Sequence, residues 1–154
     1  MSSADDARVD LMRELKAASQ LQHAWIMQAW QDDPGLHPAA AMLLSDLAKH
    51  GEARPSELAK RRFVDLSVVS RQLSQLSAAG MIDRRPAPED GRASIISLSE
   101  RGRAELDRRR AGYLDFMERA LGDWTEEKVV DLTTRLAEMN KDIRAVLSVR
   151  TCEV

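Results

Sequence analysis

Residues Arg54–Arg103 decide the fold: RPSELAKRRFVDLSVVSRQLSQLSAAGMIDRRPAPEDGRASIISLSERGR. The stretch predicts a short helix at Pro55–Arg62 and a second from about Leu66 to Ala79, because proline suits the first turn of a helix and glycine follows the second. A turn is predicted at Pro88–Arg92, where Asp-Gly occurs, and a strand at Ser94–Leu98. Helix, turn, helix and basic hairpin form a shape that fits one helix into a major groove and the hairpin against the neighbouring DNA backbone or minor groove.

The second of these helices carries the predicted base-reading face. At 100° per residue, four apolar residues share one side and are expected to pack inward: Leu66, Val69, Leu73 and Leu76. Asp65 is expected to cap the helix through its carboxylate. The opposite side is polar, short-chained and free of acidic residues, as closeness to phosphate requires. Serines allow close approach to base edges, a guanidinium can donate a fork to guanine and a valine can touch a thymine methyl. The predicted contacts are Ser67, Val68, Ser70, Arg71, Ser74 and Gln75.

The hairpin supplies the remaining predicted DNA contacts. Arg92 is placed at its tip, with the Asp90 carboxylate close enough to brace the guanidinium. The arginine pair Arg84 and Arg85 precedes the turn.

Charge is distributed unevenly along the chain. The whole sequence has 23 Lys and Arg against 25 Asp and Glu, a formal net charge of −2. Residues 54–103 hold ten basic and six acidic residues, so the rest of the chain is acidic. A basic segment within an otherwise acidic chain fits a protein that places one face against phosphate.

Length and composition narrow the class of protein. A chain of 154 residues accommodates one domain, or a small head with helical additions, and holds no apolar run long enough to span a membrane. The acidic, polar N-terminus does not resemble a secretory signal, and a single cysteine, Cys152, cannot form an internal disulfide. These features predict a cytoplasmic protein.

Apolar periodicity predicts long helices on both sides of the head. The first spans about Asp6 to Trp30, the second Pro38 to Lys49, and Ser99 and Thr125 are expected to cap two more. The C-terminal helix repeats apolar residues in steps of three and four, as a coiled-coil seam does. The predicted seam, to which the first helix adds two leucines, is Leu11, Leu15, Val129, Leu132, Leu136, Met139, Ile143 and Val146. Packing within one chain is the alternative, but so long a seam favours a dimer.

The chain resembles the MarR family of winged-helix transcription regulators over nearly its whole length. The order and spacing of five pieces carry the resemblance: Pro55–Ala59, Ser67–Leu73, Leu76–Arg84, Glu89–Arg92 and Leu98–Gly102. The implied fold is mainly α with a small β-hairpin wing. It forms a single MarR-type domain over residues 1–154, with a winged helix-turn-helix head at about 36–100 and dimerisation helices at about 6–30 and 100–148.

The resemblance also implies a function. The implied protein is a two-fold homodimer that binds double-stranded DNA at a pseudo-palindromic operator. Such a protein usually acts as a repressor, and a small aromatic, phenolic or drug-like ligand relieves the repression. Such a ligand would lie between the dimer helices and the head, where five residues are candidates: Trp25, Met27, Trp30, His37 and Met42. By position, the resemblance implies that Arg92 enters the minor groove and that Arg84 and Arg85 lie at the base of the wing, near phosphates. The wing turn departs from the family pattern, since Pro88-Glu89 makes it less basic. Arg54 stands where a capping Ser or Thr is common, which suggests a phosphate contact.

Other classes of function have less support in the sequence. No phosphate-binding glycine loop, nucleophile elbow or metal-ligand spacing occurs, so no catalytic residue, metal or cofactor is predicted. Redox sensing by Cys152 is a minor hypothesis, because the peroxide sensors of the family use a cysteine near the N-terminus. A winged-helix adaptor that binds proteins rather than DNA is the principal alternative. It would not need an acid-free outer helix face.

Overall fold

The computed structural model describes residues 3–150, and the hypothesis about Cys152 lies outside them. The elements in chain order are α1 (Ser3–Asp32), α2 (Pro38–His50), α3 (Pro55–Arg62), α4 (Leu66–Ala78), β1 (Ile82–Pro86), β2 (Ser94–Leu98), α5 (Glu100–Leu121) and α6 (Glu126–Arg150). The predicted fold class, mainly helical with one small hairpin, is confirmed. We call β1, β2 and the turn between them the wing (Ile82–Leu98).

Helix ends follow the local chemistry that predicted them. α2 and α3 begin at Pro38 and Pro55, where the missing amide would have no helical partner. The Ser99 hydroxyl accepts from the amide of Gly102 at 3.0 Å and so caps α5. Thr125 caps α6 by accepting from the amide of Lys128 at 3.3 Å. α1 begins three residues earlier than predicted, with Asp5 and Asp6 in its first turn, where carboxylates favour the helix dipole.

The end of α4 turns the chain into the wing. Gly80 has φ 68°, a left-handed conformation that suits a residue without a side chain. The amide of Met81 then donates to the carbonyl of Leu76 at 2.9 Å, and β1 begins at Ile82. The two strands pair antiparallel, with Ile82 opposite Leu98 and Pro86 opposite Ser94.

The core lies between α2, α3, α4 and the wing. Its largest fully buried side chains are Leu43, Leu44, Leu58, Val69, Leu73, Leu76 and Ile96. α4 contributes three of them at positions 69, 73 and 76, which confirms the predicted inward face for those residues. α5 begins directly against this core. The approach is so close that a Cβ on Gly102 would collide with the carbonyl oxygen of Met81.

Two predictions about the start of α4 are wrong. Leu66 is 49% exposed rather than buried, because it is the first residue of the helix and lies past the edge of the core. The carboxylate of Asp65 makes no capping hydrogen bond. The amide of Val68, which a capping side chain would engage, donates instead to the main-chain carbonyl of Asp65 at 3.1 Å.

The described part of the chain divides into two compact units, one that ends at Arg109 and one that begins at Arg110, inside α5. The first unit contains the core and the wing. The second contains the rest of α5 and the whole of α6. A short turn joins these helices, and in it the amide of Trp124 donates to the carbonyl of Leu121 at 2.8 Å. Among the described residues, no helix combines the length and apolar character needed to cross a membrane.

Candidate nucleic-acid interface

The outer face of α4 is exposed along its whole length. Buried Val69, Leu73 and Leu76 fix the rotation of the helix against the core. That rotation turns all six predicted contact residues to solvent: Ser67, Val68, Ser70, Arg71, Ser74 and Gln75. The Ser74 hydroxyl donates to the carbonyl of Ser70 at 3.0 Å, which keeps it close to the helix surface. The result is a low, polar face with one long guanidinium and a valine that is 37% exposed.

This face has the chemistry of a base-reading surface. Small side chains let a helix backbone approach base edges, and the Arg71 guanidinium carries the paired donors that guanine accepts. The sequence of α4 contains no acidic residue that would repel phosphate.

The turn at the tip of the wing is held by Asp90. Its carboxylate accepts from the amide of Arg92 at 3.0 Å, and its carbonyl accepts from the amide of Ala93 at 3.0 Å. Asp90 therefore fixes the backbone of Arg92, whereas the sequence analysis expected it to brace the guanidinium. An Asp side chain reaches an amide two residues ahead more readily than the end of a long side chain, which explains the difference.

The two arginines at the base of the wing have different surroundings. Arg84 and Arg85 are consecutive in β1, so their side chains leave opposite faces of the hairpin. Arg85 forms an ion pair with Glu52, its Nη2 2.6 Å from the carboxylate Oε1, and both side chains are about half exposed. Arg84 is exposed and has no ion pair among the described residues.

A second ion pair joins the wing to the start of α3, and the sequence analysis did not foresee it. Nη2 of Arg54 lies 2.6 Å from Oε2 of Glu89. The amide of Arg54 donates to the carboxylate of Glu57 at 2.7 Å, so the helix start is capped by Glu57. The two partners of the Arg54 ion pair are 35 residues apart in sequence, and no local pattern connects them.

The basic end of α3 turns partly towards α2. Arg61 pairs with Asp46, its Nη2 2.5 Å from Oδ1, and Arg62 donates to the sulfur of Met42 at 3.7 Å. Burial lowers the pKa of Arg62, and the nearby Asp46 carboxylate opposes this shift. These two guanidiniums therefore form contacts between α3 and α2.

The residues predicted to line a ligand pocket are brought together only in part. The rings of Trp30 and His37 meet edge to face with centroids 5.2 Å apart, and Nδ1 of His37 accepts from the amide of Ala39. Trp25 and Met27 are half-buried on α1, whereas Met42 is 55% exposed beside Arg62. An open apolar groove lies elsewhere on α1, and it is lined by Arg8, Val9, Met12, Arg13, Leu15 and Lys16.

Most residues of the predicted seam are exposed, both those on α1 and those on α6. Exposure is 48% at Leu11, 42% at Leu132 and 45% at Ile143. Leu15 and Met139 are half-buried. None of the side chains described in α1 or α6 is buried. Within residues 3–150, no cluster of three or more His, Cys, Asp or Glu side chains could hold a metal ion.

Comparison with known proteins identifies relatives of this architecture. The family model described as "MarR family" matches residues 35–93. The chain is 30% identical to the HTH-type transcriptional repressor MdtR of Bacillus subtilis over 141 residues, which cover 90% of each protein.

Two solved structures have the same fold. The chain is similar to a mutant of MarR from E. coli complexed with operator DNA, with a TM-score of 0.68 and 22% identity, covering 90% of this chain and 99% of that one. It is also similar to Bordetella bronchiseptica BpsR, whose DNA binding is regulated by 6-hydroxynicotinic acid. The TM-score there is 0.67 and the identity 21%, over 85% of this chain and 98% of that one.

Proposed function

The chain belongs to the MarR family of transcription regulators, and on that premise we propose that it is a homodimeric repressor that binds a pseudo-palindromic operator in double-stranded DNA. The observation that carries the proposal is the outer face of α4, which is exposed, free of acidic residues and fixed in rotation by the core. The relative MdtR is itself named a transcriptional repressor.

Each part of the interface has a distinct role in this proposal. α4 enters the major groove, where Arg71 reads a guanine and Val68 contacts a thymine methyl. Arg92, on a turn fixed by Asp90, reaches into the adjacent minor groove. Arg84 contacts backbone phosphate, which positions the protein without reading sequence.

The exposed apolar side chains of the predicted seam support dimerisation. Apolar side chains such as Leu132 and Leu136, at 42% and 36% exposure, repeat along α6 at the spacing of a helix-to-helix contact. A second copy of the chain would cover them. A two-fold dimer presents two copies of α4, and two half-sites in the DNA match them.

A small aromatic effector would modulate binding in this proposal. The half-buried Trp25 and Met27 and the Trp30–His37 contact supply aromatic and polarisable surface on α1 and at the start of α2. BpsR, which shares the fold, responds to an aromatic acid. The cytoplasm, where the chromosome lies, is the compartment this function requires.

A gel-shift titration against the DNA upstream of the protein's own gene tests the function. It is run at two salt concentrations with an unrelated duplex as competitor. Saturable, salt-sensitive binding that survives the competitor supports a sequence-specific regulator. Binding that any duplex removes equally contradicts operator recognition, and absence of binding at low salt favours the protein adaptor instead.

A further inference from the structure

Three contacts tie the wing to the connection between α2 and α3. Ala53 and Ile96 exchange main-chain hydrogen bonds of 3.0 and 2.9 Å, so the connection adds one residue to the edge of the sheet. On either side of this bridge lie the two ion pairs, Arg54 with Glu89 and Arg85 with Glu52, both at 2.6 Å. Each pair joins an arginine to a glutamate that is distant in sequence.

The Arg54–Glu89 pair lies at the tip of the wing. Glu89 immediately precedes Asp90, whose carboxylate holds the turn that carries Arg92. The guanidinium of Arg54 is therefore held beside the part of the wing that is proposed to reach DNA, where a backbone phosphate could accept from it. The carboxylate of Glu89, which pairs with this guanidinium, competes directly with phosphate for its hydrogen-bond donors.

Both ion pairs are open to solvent. Arg54 and Glu89 are 40% and 79% exposed, and Arg85 and Glu52 are 48% and 51% exposed. Exposed pairs of this kind contribute little to the stability of a fold, because water and salt screen them. The backbone bridge at Ala53 already attaches the wing, so the two pairs are not needed to hold it there.

We propose that Glu89 and Glu52 tune the affinity for DNA by withholding Arg54 and Arg85 from backbone phosphate. This inference rests on the proposed DNA-binding function. Phosphate contacts carry no sequence information, so the effect of the glutamates applies to any duplex. When binding to arbitrary DNA is weak, the base contacts of the outer face of α4 determine which DNA sequence the protein binds.

The test compares Glu89→Gln and Glu52→Gln with the wild-type protein. Binding to a fluorescently labelled duplex of mixed sequence is measured by anisotropy across a salt series. Each freed arginine that gains a phosphate steepens the slope of log Kd against log salt by about 0.9. The ratio of wild-type to variant Kd should therefore grow about threefold for every fourfold dilution of salt.

Two controls separate this mechanism from others. Asp83→Asn removes one negative charge from the same hairpin, at an exposed carboxylate that forms no ion pair within the described part of the chain. It should leave the salt slope unchanged. Arg54→Gln combined with Glu89→Gln removes the arginine itself, and the gain seen in Glu89→Gln should then disappear.

The outcomes are distinct. Tighter binding by both glutamate variants, with steeper slopes that Asp83→Asn lacks, supports the inference. Weaker binding by Glu89→Gln shows that the pair only positions the wing, and slopes equal to that of Asp83→Asn show a general charge effect. Either result overturns the inference while the proposed function stands. Wild-type protein that binds no duplex at low salt overturns the proposed function itself.

Discussion

The carboxylate of Asp90 lies 3.0 Å from the amide nitrogen of Arg92 and holds the backbone at the tip of the wing. Because the carboxylate is engaged with the main chain, the turn is fixed while the guanidinium of Arg92 can extend from it. In the proposed complex, this arrangement presents a long cation on a rigid support, which limits the conformational freedom lost on binding.

Removing this hydrogen bond should weaken DNA binding. Asp90→Ala leaves the turn less ordered, and we expect a loss of about 1.5 kcal/mol in binding free energy, the lower end of the range for a hydrogen bond to a charged group. Asp90→Asn keeps an oxygen that can accept from Arg92 and should lose less. Arg92→Ala removes the cation itself and should cost about 1.5–3 kcal/mol on every sequence. Anisotropy titrations measure all three, and an Asp90→Ala protein with wild-type affinity would show that the turn needs no such support.

Arg71 should determine preference at a single base position. Arg71→Ala removes the paired donors to guanine, and we expect a loss of about 1–3 kcal/mol on the operator with relaxed preference at that position. Selection from a pool of randomised duplexes, followed by sequencing, reads this preference directly. Arg84→Ala is the matched comparison, because a phosphate contact should weaken binding without changing the selected sequence. An unchanged preference in Arg71→Ala contradicts the assigned role.

Two leucines of the predicted apolar face of α4, Leu66 and Leu73, should differ in their effect on stability. Leu73 is 1% exposed in the core, so Leu73→Ala should lower the free energy of unfolding by about 2–5 kcal/mol. Leu66 is 49% exposed, and Leu66→Ala should cost about 1 kcal/mol or less. Urea denaturation followed by circular dichroism compares them. Equal losses would place Leu66 in a buried contact that the single chain does not show.

A charge placed on the seam should separate the proposed dimer. Leu136→Asp puts a carboxylate among apolar side chains of α6, where burial without a partner is strongly unfavourable. We expect a monomer by sedimentation velocity and operator binding reduced at least tenfold, since one half-site then binds alone. Thr134→Asp introduces the same charge outside the seam, at an exposed position of the same helix, and should remain dimeric. A dimeric Leu136→Asp protein would contradict the seam.

Glu105 should make stability sensitive to acid. Burial by itself raises the pKa of this carboxyl, but hydrogen bonds from Arg108 and Arg109 outweigh it and the net pKa lies below its usual value. A lowered pKa in the folded state stabilises the protein above the unfolded-state pKa, and this stabilisation is lost as pH falls through the folded-state pKa.

Urea denaturation at several pH values below neutrality tests this contribution. The free energy of unfolding should fall more steeply with acidification in the wild-type protein than in Glu105→Gln, which has no carboxylate to titrate. Asp107→Asn, at an exposed position of the same helix, should retain the wild-type profile. Parallel profiles for wild type and Glu105→Gln would show that the contacts with Arg108 and Arg109 contribute nothing to pH dependence.

The sequence by itself determined where most of the elements begin and end. Pro38, Pro55 and Gly80 act on the backbone within one turn of themselves, and Ser99 and Thr125 cap the residues that directly follow. The inward face of α4 at positions 69, 73 and 76 was also predictable, because helical geometry brings residues three and four apart together. The predicted DNA contacts on its outer face stay predictions until binding is measured.

Only the tertiary structure decided how the wing is attached and which charges it holds. Glu89 meets Arg54 and Glu52 meets Arg85 across 35 and 33 residues, and no local pattern in the sequence indicates either pair. The exposure of Leu66 was also decided by the tertiary structure. Its apolar character and spacing predicted burial, but the core ends before it. Local interactions depend on residues a few positions apart and can be read along the chain. Ion pairs and burial depend on which distant segments the packed core brings together, and that is fixed only when the whole fold has formed.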